Sequence, residues 1–156
     1  MKKPIIKLKP WGREIWFAHT EYYAGKILEI KKGHRYSLQY HEKKLETQFV
    51  LKGSVKIEYG KTPKKLLKKI LHSGEKIDIL PWTIHRAEAL TDATIFEVST
   101  PELGDVVKIE DDYGRSGKVN NEKLDRTLSK NDSVILDRKV ATGDRFGLGI
   151  YSPIDS

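Results

Sequence analysis

The chain of 156 residues carries 29 basic and 22 acidic side chains, a net charge of +7 and no cysteine. A hydrophobic fraction of 38% beside 33% charged residues predicts a soluble globular chain and excludes a disordered one. The lack of cysteine excludes disulfides, thiolate metal sites and cysteine nucleophiles. We expect a cytoplasmic protein, because neither a secretory signal nor an apolar run of membrane-spanning length is visible.

The positive charge does not by itself indicate a nucleic-acid partner. Only seven of the 29 basic residues are arginine, the residue that nucleic-acid readers use for bidentate and stacked contacts. The densest lysine run, Lys61–Lys69, lies between two strand-like segments, where lysines commonly protect a sheet edge. We expect no nucleic-acid and no membrane partner, whereas the positive field suits an anionic small molecule.

Short segments rich in β-branched and aromatic residues follow one another from Ile15 to about Lys108. The predicted strands are Tyr23–Ile30, Tyr36–His41, Thr47–Leu51, Ser54–Tyr59, Lys76–Ile79, His85–Leu90 and Thr94–Ser99. Many short strands at close spacing predict an all-β sandwich or barrel. The stretch Lys64–Leu71 fits a helix, or two strands with a loop, equally well.

The composition changes after Arg115. Residues 116–156 mix Ser, Asn, Asp, Gly and Lys, with brief apolar islands at Val134–Leu136 and Phe146–Tyr151. We therefore predict a β-barrel domain over residues 1–115. Residues 116–156 are interpreted as an appendage, either loosely ordered or docked on a partner subunit.

The N-terminal segment Pro4–Trp16 has strand character but no obvious neighbour in a minimal barrel. Pairing with the sheet edge of another subunit would satisfy its backbone groups. We therefore expect a two-fold homodimer.

Four polar residues have the spacing of a metal site. Gln39 and His41 are two apart on a predicted strand, so both side chains point to one face, roughly 6–7 Å apart along it. Glu46 opens the next strand of the hairpin, and His85 would supply a fourth donor. Mixed nitrogen and oxygen donors suit a divalent ion such as Zn, Fe, Mn or Ni.

These intervals resemble the two cupin motifs over about residues 10 to 115. The first motif is matched by Gly33, five residues, Gln39-Tyr40-His41, four residues, Glu46, six residues and Gly53, with Gln in place of the usual first His. In the second motif Gly74 and His85 keep their places, whereas Leu80, Trp82 and Ala89 replace the usual Pro, Gly and Asn. The resemblance implies a cupin double-stranded β-helix, a jelly-roll barrel.

A narrower resemblance is to the small mannose-6-phosphate isomerase-like cupins, a group similar to the cupin half of bifunctional phosphomannose isomerase/guanylyltransferases. It rests on the segments Lys9-Pro-Trp11-Gly12, Ser37-Leu-Gln39-Tyr-His41, His85-Arg86-Ala-Glu88 and Asp111-Asp-Tyr-Gly114-Arg115. The Gln-x-His pair is also similar to the zinc site of larger phosphomannose isomerases. The resemblance implies zinc, a phosphorylated sugar or sugar nucleotide as ligand, and aldose–ketose isomerisation through an enediol.

Two charged residues on apolar strands are candidate catalytic groups. Lys26 and Glu97 should both face the barrel interior, where a charged group needs a partner or a function. Glu97 is the first candidate for the base and Lys26 the second, with a structural salt bridge as the alternative. Lys26, Arg35 and Arg86 are the candidates for holding a phosphate.

Two other kinds of function stay open. A non-catalytic sugar- or sugar-nucleotide-binding cupin would need the pocket but no base. A metal-dependent oxygenase could use His41, Glu46 and His85 as a two-His-one-carboxylate site. Oxygen uptake with iron would favour the oxygenase, and a saturable ligand without turnover would favour the binding protein.

Overall fold

The computed structural model describes residues 3–117 and 121–130, which form two antiparallel sheets and one helix. The strands are β1 (Ile5–Lys9), β2 (Gly12–His19), β3 (Ala24–Ile30), β4 (Leu38–Tyr40), β5 (Glu46–Lys52), β6 (Ser54–Gly60), β7 (Leu67–His72), β8 (Lys76–Ile79), β9 (Ile84–Ala89), β10 (Ala93–Ser99) and β11 (Val107–Glu110), followed by helix α1 (Glu122–Lys130). One sheet has the order β1-β2-β3-β10-β5-β8 and the other the order β11-β4-β9-β6-β7. The prediction of an all-β cupin jelly roll is confirmed.

Alternation along the strands builds the core between the two sheets. On β10, Ala93, Ile95 and Glu97 are buried, whereas the residues between them are partly exposed. Leu28 and Val50 face the same interior from β3 and β5, because they are the register partners of Ile95 on either side. The other sheet contributes the apolar residues Val55, Ile57, Leu71, Ala87 and Ala89.

All seven predicted segments overlap observed strands, and the prediction for β8 has the observed bounds. Within Lys64–Leu71 the structure has a turn followed by β7, so that part of the chain is not helical. The hairpin from β5 to β6 depends on Gly53, whose φ is 82°. A Cβ at this position would lie 2.3 Å from the Asp92 carbonyl oxygen.

The N-terminal segment finds its neighbours within the chain. β1 and β2 form a hairpin, and β2 pairs in turn with β3, with Ile15 opposite Ile27. The expectation that Pro4–Trp16 lacks a partner in its own barrel is therefore wrong. The homodimer itself stays a prediction.

Helix α1, which the sequence pattern did not indicate, packs on β1. Lys7 contacts Glu122 at 3.0 Å, and Leu128 packs against the hydrophobic core. The islands Val134–Leu136 and Phe146–Tyr151 lie outside the described residues. Among the residues that the structure describes, no helix has the length and apolar character needed to cross a membrane.

Candidate functional site

Three of the four predicted metal donors come together between the sheets. His41 directly follows β4, Glu46 opens β5 and His85 lies on β9, and one ligand atom of each lies within 4.8 Å of the others. The Nε2 atoms of His41 and His85 are 3.6 Å and 3.2 Å from the two Glu46 carboxylate oxygens. All three residues are buried, so the donor cluster is shielded from bulk water.

Hydrogen bonds on the far side of each imidazole orient the histidines towards this cluster. His85 Nδ1 contacts the Thr83 carbonyl oxygen at 2.9 Å, and His41 Nδ1 contacts the Asp105 carbonyl oxygen. A carbonyl only accepts, so in each ring Nδ1 carries the proton and Nε2 keeps its lone pair. His85 Nε2 is buried and makes no hydrogen bond with the described residues. Two inward lone pairs beside a carboxylate fit a divalent metal ion.

The electrostatics keep His41 and Glu46 in their metal-binding forms near neutral pH. Burial lowers the pKa of His41 to about 4, and the nearby Lys44 ammonium acts in the same direction. Burial by itself would raise the pKa of Glu46, but the Lys44 ammonium holds it well below its ordinary value. A neutral imidazole and an ionised carboxylate are the protonation states that bind metal.

Gln39 lies at the border of the cluster. It is the register partner of His85, and its Nε2 is 3.5 Å from His41 Nε2. Its Oε1 accepts a hydrogen bond of 2.7 Å from Ser37. A half-turn of the amide would present the oxygen to the cluster, so Gln39 can serve as a fourth donor or orient His41.

Lys44 is the residue of this site that sequence reasoning missed. Its Nζ is 2.6 Å from Glu46 and 2.9 Å from Glu97, and the residue is only 3% exposed. It belongs to the charged turn Glu42-Lys43-Lys44, and a charged turn usually lies in solvent. The Asp105 carboxylate instead holds this turn inward by accepting the backbone N–H groups of residues 42–44.

A cavity of about 80 Å³, room for several water molecules, lies beside the donor cluster. Its charged lining residues are Lys9, Glu14, Lys26, Lys44, Glu97, Lys108 and Arg115, and the neutral His41 also lines it. Lys26 and Glu97 face each other in register on β3 and β10, and both point inward as the strand alternation predicted. Glu97 accepts hydrogen bonds from Lys44 and Gln48. Lys26 contacts Glu14 at 3.4 Å and lies 4.9 Å from the centre of the Trp16 ring.

The structure does not bring Arg35 and Arg86 to this cavity. Arg35 donates two hydrogen bonds, of 2.9 and 2.8 Å, to the Asp112 carboxylate. Arg86 follows the inward His85 on β9, so it projects from the opposite face and donates to the Glu110 carbonyl oxygen at 3.1 Å. The cavity is instead basic through Lys9, Lys26, Lys108 and Arg115, which we call the basic wall.

Two antiparallel sheets enclosing a His–Glu–His cluster define the chain as a cupin. The sequence matches the family described as mannose-6-phosphate isomerase C-terminal over residues 4–115, and the chain belongs to that family. No protein of curated function shows significant sequence similarity to the chain.

Solved structures share the fold at low sequence identity. KdgF from Halomonas sp. is 21% identical with a TM-score of 0.51, over 58% of this chain and 80% of KdgF. An RmlC-like cupin from Shewanella frigidimarina is 13% identical with a TM-score of 0.56, over 64% of this chain and 86% of that cupin. CapF from Staphylococcus aureus, a capsular polysaccharide assembling protein, is 18% identical with a TM-score of 0.59 over 70% of this chain. The match spans only 35% of CapF, so this chain corresponds to about a third of that protein.

Proposed function

We propose that the protein is a metal-dependent aldose–ketose isomerase acting on a phosphorylated sugar. The observation that carries the proposal is a cluster of three metal donors beside a cavity that is lined by one of them, His41, by the buried Glu97 carboxylate and by the basic wall. Membership of the mannose-6-phosphate isomerase C-terminal family supports the same reaction class. We take mannose 6-phosphate and fructose 6-phosphate as the first pair to test.

His41, Glu46 and His85 would hold the ion, with Gln39 as a fourth donor. A bound divalent ion supplies Lewis-acid polarisation of the carbonyl and neighbouring hydroxyl oxygens of an open-chain sugar. Zinc is the first candidate, because two imidazoles and a carboxylate are common zinc ligands, and Fe, Mn and Ni suit the same set.

Glu97 is the proposed base. Its carboxylate would take the proton from C2 of the aldose and return it to C1, while the hydroxyl proton of O2 passes to O1, so that the reaction proceeds through an enediol and leaves a ketose. Lys44 and Gln48 fix the orientation of this carboxylate, at 2.9 and 3.3 Å. Lys26, the register partner of Glu97, is the second candidate.

The basic wall is the proposed site for the phosphate. Lys26, one of the three residues predicted for this role, belongs to it. Arg35 and Arg86 are weaker candidates for binding the phosphate, because their guanidinium groups already donate hydrogen bonds to Asp112 and Glu110. A phosphate dianion would therefore meet Lys9, Lys26, Lys108 and Arg115 instead.

The test follows exchange of the C2 proton of mannose 6-phosphate with solvent deuterium by NMR, using protein loaded with zinc. We expect exchange and formation of fructose 6-phosphate by the wild type, and a loss of about a hundredfold or more in Glu97→Gln. The matched control is Glu29→Gln on β3. Glu29 pairs with Arg13 at 2.6 Å and does not line the cavity, so this variant should keep the wild-type rate.

Absence of exchange in a broad panel of sugar phosphates, with Zn, Mn, Fe and Ni each loaded, would contradict the isomerase. Saturable binding without turnover would then favour a sugar-binding cupin. Oxygen consumption with iron would favour an oxygenase that uses the same two histidines and one carboxylate.

A further inference from the structure

Part of the basic wall already holds an anion that belongs to the chain itself. Asp125 of α1 lies 2.9 Å from Lys9 and 3.1 Å from Arg115, and both cations line the cavity. Asp125 is 5% exposed, so these contacts are shielded from solvent. The family match ends at residue 115, so this carboxylate comes from a segment that lies outside the cupin family sequence.

We propose that Lys9 and Arg115 form an anion subsite of the cavity, and that Asp125 occupies it as an internal ligand which a phosphate group displaces. The inference deepens the proposed function, because the subsite would receive the phosphate of that substrate. Binding of an anion between the two cations of this subsite does not depend on turnover.

Charge balance favours exchange of Asp125 for a doubly charged ligand. Lys9 also lies 3.9 Å from Glu14, and Arg115 lies 2.7 Å from Asp111, so Asp125 is the carboxylate that the two cations share. Departure of Asp125 would remove one negative charge from between them, and a phosphate dianion would restore that charge and add a second. Crowding of like charge is already evident, because burial together with Arg115 and Lys9 lowers the pKa of Lys108.

Asp125 differs from Asp111 in how firmly it is held. Asp111 accepts two side-chain hydrogen bonds from Arg115, at 2.9 and 2.7 Å, and hydrogen bonds from the backbone N–H groups of Tyr113 and Arg115. Within residues 3–117 and 121–130, the hydrogen bonds to the Asp125 carboxylate come from two side chains, Lys9 and Arg115. Asp111 is therefore part of the framework that positions Arg115, whereas Asp125 can leave without dismantling that framework.

The experiment titrates the full chain with inorganic phosphate in a calorimeter at constant ionic strength. We expect Asp125→Asn to bind phosphate about tenfold more tightly than the wild type, since the neutral amide competes poorly for charge-assisted hydrogen bonds. Glu122→Gln is the matched control, because Glu122 lies on the same helix, pairs with Lys7 and does not touch the cavity. Adding Lys9→Met to Asp125→Asn should abolish the gain.

Equal phosphate affinity in Asp125→Asn and the wild type would overturn the inference, as would an equal gain in Glu122→Gln. Should Asp125→Asn not fold, tryptic cleavage at Arg126 in the wild-type protein provides the second measurement. Phosphate should speed this cleavage relative to chloride at the same ionic strength, and unchanged or slower cleavage would contradict the inference. Neither measurement depends on turnover. The displacement of Asp125 by phosphate can therefore be tested even if the isomerase proposal fails.

Discussion

Strand β9 carries polar side chains on both faces, and the two clusters to which they belong differ in the kind of atom they offer. The inner cluster, His41, Glu46 and His85, presents lone pairs that converge within 4.8 Å. In the outer cluster the guanidinium groups of Arg35 and Arg86 meet Asp112 and Glu110. Arg86 still leaves its Nε without a hydrogen bond among the described residues, but a guanidinium has no lone pair to offer a metal.

The comparison shows why burial alone does not identify a functional residue. Arg86 is 2% exposed and His85 is fully buried, so exposure does not separate them. The geometry of their partners does separate the two clusters. Arg35 and Asp112 satisfy each other's hydrogen-bonding groups in a bidentate pair, whereas His85 Nε2 points to donor atoms that could bind the same ion. We therefore interpret the outer cluster as structural and the inner cluster as a candidate metal centre.

The largest expected effect is loss of metal from the inner cluster. Wild-type protein dialysed against zinc should retain close to one ion per chain, and the double variant His41→Ala, His85→Ala should retain almost none, because two of the three donors are gone. Elemental analysis measures this directly. The matched control removes His19 and His72, two exposed histidines away from the cavity, and should keep full metal content.

A partial loss of zinc binding is expected from Gln39→Leu. Loss of a residue that orients or supplements the ligands should weaken zinc binding by about tenfold or more, without abolishing it. A wild-type protein that binds neither Zn, Mn, Fe nor Ni in calorimetry would contradict the metal centre.

A smaller effect, on stability instead of metal content, is expected from the outer cluster. Arg35→Met leaves the Asp112 carboxylate, 2% exposed, without its bidentate partner, and should lower the free energy of unfolding by about 3 kcal/mol. Arg13→Met is the control, since the Arg13–Glu29 pair is 44% and 31% exposed and should change stability by about 0.5 kcal/mol or less. Urea denaturation measures both.

One outcome would contradict the structural role of the outer cluster. If Arg35→Met keeps wild-type stability but loses affinity for sugar phosphates, Arg35 has the substrate role that the sequence suggested. Metal content should be unchanged in either variant.

The sequence predicted the fold and the inner cluster because both depend on short, regular intervals. Alternation on β3 and β10 placed Lys26 and Glu97 inside, and the cupin spacing brought together His41, Glu46 and His85. Arg35 lies four residues before Gln39, but β4 begins only at Leu38, so the alternation of the strand does not extend back to Arg35.

The residues that sequence reasoning missed depend on contacts between distant segments. Lys44 is turned inward by Asp105, which lies about sixty residues later in the chain. Asp125 reaches Lys9 across 116 positions. Local pattern carries no information on such pairings, and both residues occur in polar stretches that look solvent-exposed.

The smallest expected effect is a pH dependence that separates charges of the cavity wall from charges at the surface. Burial by itself would raise the pKa of Glu14, but Lys26 and Lys9 lower it from 4.5 to about 2. A carboxyl with a depressed pKa in the folded state stabilises the protein above pH 4.5, and this contribution is lost as the pH falls towards 2. Between pH 6 and pH 3 the loss is on the order of 2 kcal/mol, which is less than the change expected for Arg35→Met.

Denaturation of metal-free wild type and Glu14→Gln should therefore give a difference in stability that is largest at pH 6 and shrinks progressively through pH 4 and pH 3. Metal-free protein is used because dissociation of an ion at low pH would add its own dependence. Asp78→Asn is the control, since Asp78 is paired with Lys76 on the exposed surface, and its effect should be small at every pH. A difference between wild type and Glu14→Gln that stays constant from pH 6 to pH 3 would mean that Lys9 and Lys26 do not hold the Glu14 carboxylate in solution. The basic wall would then be more strongly positive than its ion pairs indicate, because its partner carboxylate would not balance it.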